Sequence, residues 1–462
     1  MEWEKTWDDP LSEYLGHFEE LIGDVRTGVT LREIVSGIIG AGSLVCQRIA
    51  NSSAVLGAVK DGAQRVIRFA TGESTKRSEV DAEHLTQKLA ERGVGHLAAG
   101  ESEEVWLILD ASDLRKHYAR EMESLMKVRD LNGDLVPGYR TLNVLGITPG
   151  RRAILYHRLF SSREEEFLSE SLEIQQALQS TSQALALLKE RSAVTWIMDR
   201  GLDDVAVWRT IWEQEEHMVC RVKHTERIVE VLDEKEAWQV ANIEQSRGNL
   251  QWLADAKTMM RVRLGRQQRA KSQWVTVKLR ACPIRLTYQS NVRRKGPGET
   301  CQQELWLVEV QLEKSSMQPW LLVTDWPVTN AEMALRIFQM YRQRWAVEDA
   351  FKFTKECLGW EDVQLLNLQG VRTMVALAWV AAGFLYEMGV TLDWPEVRLL
   401  ARLGGWVERK DRKPGRIVLT RGLRRLLEAM TTQTFLDAYT AEHGALPPRI
   451  TALLSRPTIE GL

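Results

Sequence analysis

VWLILDAS, residues 105–112, is a short apolar run followed by an aspartate, Asp110, and two small residues. Before it, the stretches 31–50 and 54–72 predict helices, since their apolar residues recur with a spacing near 3.6. From about residue 103 onward the pattern changes to short apolar runs separated by turn signals, which is typical of strands. VWLILDAS is therefore predicted to be the first strand of a sheet that follows a helical region.

The residues that follow extend this sheet and alternate strands with helices. Two further strands are predicted at 138–149 and 151–161, on either side of a Pro-Gly turn signal. The sequence then predicts a helix at 171–192, a buried strand at 193–201, a second helix at 203–214 and a closing strand at 217–223. This order predicts an α/β layout with a mixed sheet.

Residues 225–327 interrupt the alternation and read as a β-rich insertion, with strands predicted at 274–290, 303–315 and 319–328 and a hairpin-like turn at 291–299. Within it, the segment 254–273 is basic and only weakly periodic. We predict a helical N-terminal domain at 1–97 and the first part of the α/β core at 98–224. The insertion follows at 225–327, the last part of the core at 328–392 and a helical basic C-terminal domain at 393–462.

Composition and charge are those of a soluble globular protein of two to four domains, with 462 residues, 44% apolar and 27% charged. The net charge of −2 hides an uneven distribution. Residues 1–25 carry eight acids and one lysine, whereas 401–425 carry nine Lys or Arg and two acids. The basic segment is interpreted either as a surface for phosphates or as a solvated loop and helix.

Several classes of protein are not expected. The acidic start MEWEKTWDDP lacks the apolar segment of a signal peptide. The apolar stretch 373–389 is too short to span a bilayer and is predicted to be a buried helix. Five scattered cysteines without a CxxC pair fit a reducing cytoplasm, and scattered histidines without HExxH make a histidine-based metal site unexpected. Carboxylate metal sites remain open.

Two aspartates follow buried strands directly: Asp110 after VWLIL, and Asp199 within AVTWIMDRG (193–201). The carboxyl ends of such strands meet at the edge of the sheet where sites in α/β folds gather. Asp is also common in turns, so each residue alone has a purely structural alternative.

The helix predicted over YRQRWAVEDAFKFTK (341–355) carries an unusual stripe. On a regular helix Tyr341, Arg344, Glu348 and Lys355 fall within about 60° of arc, flanked by large apolar side chains. A solvated ladder of i,i+4 ion pairs is one interpretation. The other is an enclosed site, in which Arg344 and Lys355 pair with phosphate and Glu348 binds a divalent metal.

The spacing Y-x2-R-x3-E-x6-K resembles the signature of the DDE transposases of the insertion-sequence-four family of bacterial mobile elements. TWIMDRGLDD (195–204) is similar to the family's strand with the second aspartate, and VWLILDAS to the strand with the first. PWLLVTDWPV (319–328) is similar to the segment upstream of the signature helix, and 48–69 to the N-terminal module. These landmarks extend over roughly residues 30–390. The Ala-Ser after the first aspartate and the slightly acidic net charge depart from the family's pattern.

The resemblance implies an RNase H-like core interrupted by the β-rich insertion, behind a helical domain that binds DNA ends. Asp110, Asp199 and Glu348 would hold two Mg²⁺ ions, with Mn²⁺ as a substitute, and Asp110 would bridge both. Asp113 competes with Asp110 as first ligand, and Asp110 is favoured because it follows the apolar strand directly.

DNA contacts are implied for the remaining residues of the signature and for two others. Tyr341, Arg344 and Lys355 would grip phosphates near the transposon end. Trp320 would stack on an extruded base, unless it is a core residue of its own strand. Arg200 would contact DNA and, with Asp203, support the ligands, ordinary turn contacts being the alternative.

The function that the resemblance implies is excision of a mobile element by metal-dependent cleavage at its ends, followed by strand transfer into target DNA. Second-strand cleavage through a DNA hairpin is one possible route. The expected partners are double-stranded terminal repeats, target DNA and a second copy in a synaptic homodimer, which the tail from about residue 391 is a candidate to hold together. No membrane partner is expected, and the expected location is the bacterial cytoplasm, at the nucleoid. A catalytically idle DNA-binding derivative and a metal-dependent host nuclease remain alternatives.

Overall fold

The protein is described from a computed structural model, which covers residues 10–56, 59–73, 80–130, 132–232, 236–262, 271–289, 299–313, 318–408 and 413–454. It is a mixed α/β structure made of two compact units, each assembled from separate parts of the chain. The first unit combines Met1–Leu89, Leu114–Tyr139 and Lys352–Leu462, and the second combines Ala90–Asp113 and Arg140–Phe351.

The helices are α1 (Pro10–Glu19), α2 (Val25–Ala41), α3 (Cys46–Asn51), α4 (Val59–Thr71), α5 (Ala82–Ala98), α6 (Glu170–Ala184), α7 (Ala186–Lys189), α8 (Val205–Trp212), α9 (Ile243–Ser246), α10 (Ala331–Arg342), α11 (Trp345–Cys357), α12 (Leu368–Thr391), α13 (Trp394–Leu403), α14 (Arg416–His443) and α15 (Pro448–Leu454).

The strands are β1 (Glu104–Arg115), β2 (Met126–Arg129), β3 (Leu135–Thr148), β4 (Arg151–Phe160), β5 (Ala193–Met198), β6 (His217–Arg221), β7 (Ile228–Leu232), β8 (Trp238–Asn242), β9 (Gln251–Val262), β10 (Lys271–Gln289), β11 (Thr300–Leu312) and β12 (Trp320–Thr324).

One large mixed sheet forms the frame of the second unit, in the order β3-β1-β5-β6-β12-β11-β10-β7-β8, with β4 paired to β3 and β9 to β10. The pairs β1–β5 and β5–β6 are parallel, while β6–β12 and β12–β11 are antiparallel. Parallel neighbours are typical of strands covered on both faces, and β5 is accordingly buried along most of its length. The central parallel strands thus bring their carboxyl ends to one edge.

Helices α6 and α8 cover the sheet of the second unit. Each begins at a side-chain cap: Ser169 accepts a hydrogen bond from the Leu172 N–H, and Asp204 from the Ala206 N–H. Their apolar faces join the strands in one core, which includes the fully buried Trp196. This core holds the strand ends of the candidate site in place.

Helix α12 is the buried centre of the first unit. It is long and apolar enough to cross a membrane by length and composition, but 83% of its most apolar window is buried inside the protein. The prediction of a buried helix at 373–389 is therefore confirmed. Nearby, Gly422 of α14 lies so close to α13 that an added Cβ would come within 1.9 Å of the Leu400 carbonyl oxygen, so only glycine permits this helix contact.

The strands and helices predicted between residues 105 and 223 are confirmed with boundaries shifted by a few residues, except that the helix predicted at 171–192 is divided into α6 and α7. Two further details differ from expectation. The segment 254–273, predicted only as weakly periodic, contributes the strand β9. The strand predicted at 319–328 pairs with β6 as well as β11, so the β-rich region continues the same sheet. The hairpin-like turn at 291–299 lies outside the described residues except for Glu299.

Candidate active site

Asp110 and Asp199 come from neighbouring parallel strands. In the register of β1 and β5, Ile108 pairs with Ile197, and both aspartates follow two residues later. Asp199 is the first residue after β5, where its Oδ1 accepts a hydrogen bond of 2.7 Å from the Gly201 N–H and caps a short 3-10 turn. The two carboxylates therefore lie side by side at the carboxyl edge of the sheet.

The environment of Asp110 disfavours its negative charge. Burial, followed by the negative charges of Asp199 and then of Glu348, raises the pKa of Asp110 to about 7, while Arg344 and a hydrogen bond from the Ala111 N–H oppose the rise. That N–H lies 2.9 Å from Oδ1. The charges of both other predicted ligands, Asp199 and Glu348, therefore act on Asp110. By contrast, Asp113 pairs with Arg140 at 3.1 Å.

The predicted single helix over 341–355 is wrong, because the structure breaks it into α10 and α11 at Gln343 and Arg344. The backbone tightens there: the Arg344 N–H bonds to the Tyr341 carbonyl at 3.1 Å, three residues back. Side chains on both sides of the break are anchored elsewhere. Arg342 donates to the Thr258 hydroxyl at 2.6 Å, and the Trp345 ring packs edge-on against Trp320.

This break places Arg344 between two of the predicted ligands. Its Nη1 lies 3.7 Å from Asp110 Oδ2, and its Nη2 donates a hydrogen bond to Glu348 Oε1. Burial opposes the charge of Arg344, but Glu348, Tyr341 and Asp110 outweigh it and raise its pKa above the ordinary value. Arg344, whose positive charge is permanent, is thus a counter-ion that contacts both Asp110 and Glu348 in this structure.

A second arginine, which the sequence did not single out, completes this cluster. Arg221 ends β6, next to the strand that delivers Asp199, and its charge interacts with the hydroxyl of the buried Tyr341. Burial lowers the pKa of Arg221, and the charges of Arg200 and Arg344 lower it further while Tyr341 opposes the change. The role of Arg221 does not follow from its sequence context; it follows from the pairing of its strand, β6, with β5.

The role predicted for Trp320 does not fit the structure. Trp320 is only 2% exposed, and its ring packs against Phe338, Tyr341 and Trp345 with centroid distances of 6.2, 5.4 and 5.7 Å. A base has no open face on which to stack. The alternative, a tryptophan in the core, is the one that the structure supports.

Two other predicted residues have contacts of their own. Asp203 accepts hydrogen bonds from the Lys223 and His224 N–H groups and pairs with Arg227, so it holds the loop after β6. This is the turn contact named as the alternative to a role in supporting metal ligands. Arg200 is exposed within the turn that Asp199 caps.

Lys355 belongs to the first unit. Its Nζ lies 3.2 Å from Glu361 Oε1 and 5.4 Å from the centroid of the Trp360 ring. The same Glu361 oxygen lies 3.5 Å from Arg115 Nε. Lys355 is thus already paired with a carboxylate.

The fit of these residues to a divalent cation can be judged from their chemistry. Three carboxylates offer the hard oxygen ligands that Mg²⁺ and Mn²⁺ prefer, and the mutual repulsion felt by Asp110 is what a cation would relieve. Within the described part of the chain, no group of three or more His, Cys, Asp or Glu side chains is arranged to hold a metal ion. The carboxylate oxygens suit such a cation chemically. In this conformation Arg344 supplies the positive charge beside Asp110 and Glu348.

Comparison with known proteins gives a distant structural similarity to a solved structure. No protein-family profile and no curated protein matches the chain. Among solved structures, the chain is similar to the piggyBac transposase in its synaptic complex with hairpin DNA, with a TM-score of 0.38 and 10% identity over 77% of this chain. The match covers 58% of that chain, less than two thirds of its length. A likeness of this size does not identify a function, which rests on the site itself.

Proposed function

We propose that the protein is a DDE-type transposase of the insertion-sequence-four kind, built on an RNase H-like core. One observation carries the proposal. Asp110, within β1, and Asp199, directly after β5, lie side by side on neighbouring parallel strands, and Arg344 links Asp110 to Glu348. These are the three carboxylates that the sequence signature assigns to the metal site.

In the proposed mechanism Asp110, Asp199 and Glu348 would hold two Mg²⁺ or Mn²⁺ ions. When bound, such ions activate an attacking water or 3′-hydroxyl and stabilise the leaving oxygen of an in-line phosphoryl displacement. Asp110 contributes a carboxylate whose ionised form is disfavoured without a cation, because it is buried beside Asp199. This disfavoured charge is a reason for the site to bind a cation tightly.

The arginines supply the proposed grip on DNA. Arg200 and Arg344 each lie close enough for their charge to act on Arg221, as does the hydroxyl of Tyr341. Arginine recognises phosphate through paired N–H donors, so the cluster suits one or more phosphates of a DNA strand. Phosphate binding by Lys355, which belongs to the first unit, stays a prediction, and a phosphate there would compete with Glu361.

The proposed products are a nicked transposon end and then a strand-transfer joint with target DNA, with the second strand cut through a hairpin or by another route. The proposed partners are double-stranded terminal repeats, target DNA and a second copy of the chain in a synaptic dimer. The proposed location is the bacterial cytoplasm, at the nucleoid.

End cleavage tests this function. The full chain is incubated with Mg²⁺ and a DNA fragment that carries the sequences flanking its gene, and nicked ends are mapped on a sequencing gel. We expect cleavage by the wild type and loss of at least about 10²-fold with Asp110→Asn or Glu348→Gln, since each removes a ligand. Glu356→Gln, an exposed acid on the same helix, is the matched control.

The outcomes separate the competing functions. Binding to the flanking DNA without cleavage by the wild type would favour an idle DNA-binding derivative. Cleavage without preference for the element's ends would favour a host nuclease. Equal cleavage by the wild type and Glu348→Gln would overturn the assignment of the site.

A further inference from the structure

Arg344 occupies the position from which a cation would neutralise the candidate site. One of its nitrogens lies 3.7 Å from Asp110, and another donates to Glu348. The side chains of Arg344 and Asp110 are only 15% and 18% exposed, so little water screens this contact, whereas Glu348 is 53% exposed and its contact is screened more. As long as Arg344 stays there, two of the three proposed ligands are already compensated.

A guanidinium and a divalent cation compete for the same carboxylates. Both need the oxygens of Asp110 and Glu348, and both carry positive charge, so they repel each other when close. Arg344 cannot lose its charge near neutral pH, because arginine remains protonated in proteins. Its side chain must therefore move away before these oxygens can bind a metal ion.

The surroundings offer Arg344 an alternative partner. The charges of Arg221 and Arg344 repel each other, Arg200 adds positive charge near Arg221, and Tyr341 adds a hydroxyl. A DNA phosphate entering this cluster would attract all three arginines. Arg344 itself lies at the break between α10 and α11.

We propose that Arg344 is an internal counter-ion that couples DNA binding to metal binding. Without DNA it neutralises Asp110 and Glu348 and weakens metal binding; a DNA phosphate draws it away and releases both carboxylates. The inference rests on the proposed function. By linkage, the factor by which DNA strengthens metal binding must equal the factor by which metal strengthens DNA binding.

The test is direct titration of Mn²⁺ into the DNA-free full chain, with free Mn²⁺ measured by electron paramagnetic resonance. We expect Arg344→Gln to bind Mn²⁺ about tenfold or more tightly than the wild type, within the range of typical coupling factors. Arg221→Gln is the matched control, because it removes a nearby charge that contacts Tyr341 but no carboxylate of the site; a smaller gain is expected. Arg344→Lys, which keeps the charge but not the two-pronged contact, should lie between.

Adding an uncleavable DNA end completes the cycle. It should strengthen Mn²⁺ binding by the wild type and leave Arg344→Gln almost unchanged. Weaker or equal Mn²⁺ binding by Arg344→Gln would overturn the inference, since a residue that only orients Glu348 would have that effect. Thermal unfolding of each variant verifies that it is folded.

One further variant separates this inference from the proposed function. If Asp110→Asn abolishes Mn²⁺ binding but Arg344→Gln fails to strengthen it, only the counter-ion role is lost. If Asp110→Asn binds Mn²⁺ as the wild type does, the carboxylates do not hold the metal. The proposed function and the inference then fall together.

Discussion

Replacing Asp110 by asparagine should stabilise the protein, and more so at high pH. The folded structure raises the pKa of Asp110 from 3.8 to about 7, mainly through burial and then through Asp199. The native state therefore holds this proton up to higher pH than the unfolded chain does. The contribution of Asp110 to the free energy of unfolding is lost as the pH rises from about 4 to about 7, and it stays lost above that.

The magnitude follows from the shift. A change of roughly 3 pKa units corresponds to about 4 kcal/mol at pH 8, at 1.36 kcal/mol per unit. At pH 5 only part of the penalty has developed, about 1.5 to 2 kcal/mol. The advantage of Asp110→Asn over the wild type should accordingly grow by about 2 to 3 kcal/mol between pH 5 and pH 8.

Urea unfolding followed by tryptophan fluorescence, in EDTA, measures this difference at each pH. Asp199→Asn tests the cause: by removing the neighbouring negative charge it should lower the pKa of Asp110 and shift the pH-dependent loss of stability to lower pH. A stability difference between Asp110→Asn and the wild type that does not change with pH would refute the reasoning.

Three further outcomes are expected. Gly422→Ala should destabilise by about 1 to 3 kcal/mol or more, because the new Cβ would meet the Leu400 carbonyl at 1.9 Å, while Gly95→Ala, in open space on α5, should stabilise by about 0.5 to 1 kcal/mol in thermal unfolding. Trp320→Ala should lower stability by about 3 to 5 kcal/mol in urea unfolding, whereas a ring that served only to stack on DNA would leave stability unchanged. Burial lowers the pKa of His157 from 6.5 to about 3, so the unfolded chain takes up its proton first and stability falls as the pH drops below about 6.5; His157→Gln should flatten that part of the urea-derived pH profile.

The strands that carry the candidate site could be predicted from the sequence, and the break in the helix could not. VWLIL and AVTWIM are short apolar runs followed directly by Asp110 and Asp199, a local pattern that needs no distant partner. Between Tyr341 and Lys355 the helical periodicity continues without Gly or Pro. At the break Arg342 is bound to β9, a contact with residues more than 80 positions away in the chain that local periodicity does not predict.

The burial of Trp320 and the place of Arg221 in the site could not be predicted from the sequence, for a related reason. The sequence places a tryptophan at the start of a strand, but its burial depends on which helices cover that strand. Arg221 became a candidate only when β6 was placed beside β5, since a sequence does not specify which strands are neighbours. Local pattern thus predicted the acids, whereas tertiary contacts decided which aromatic and cationic side chains accompany them.

The interleaved composition of the two units has a consequence for synthesis. The chain passes from one unit to the other after residues 89, 113, 139 and 351. A nascent chain can pair β1 with β5 early, but Arg344 and Glu348 are added some 150 residues after Asp199. Since contacts distant in sequence form late, about three quarters of the chain, 348 of 462 residues, must be synthesised before Glu348 can meet Arg344 and the two aspartates. A product truncated before residue 344 would therefore lack two members of the candidate site.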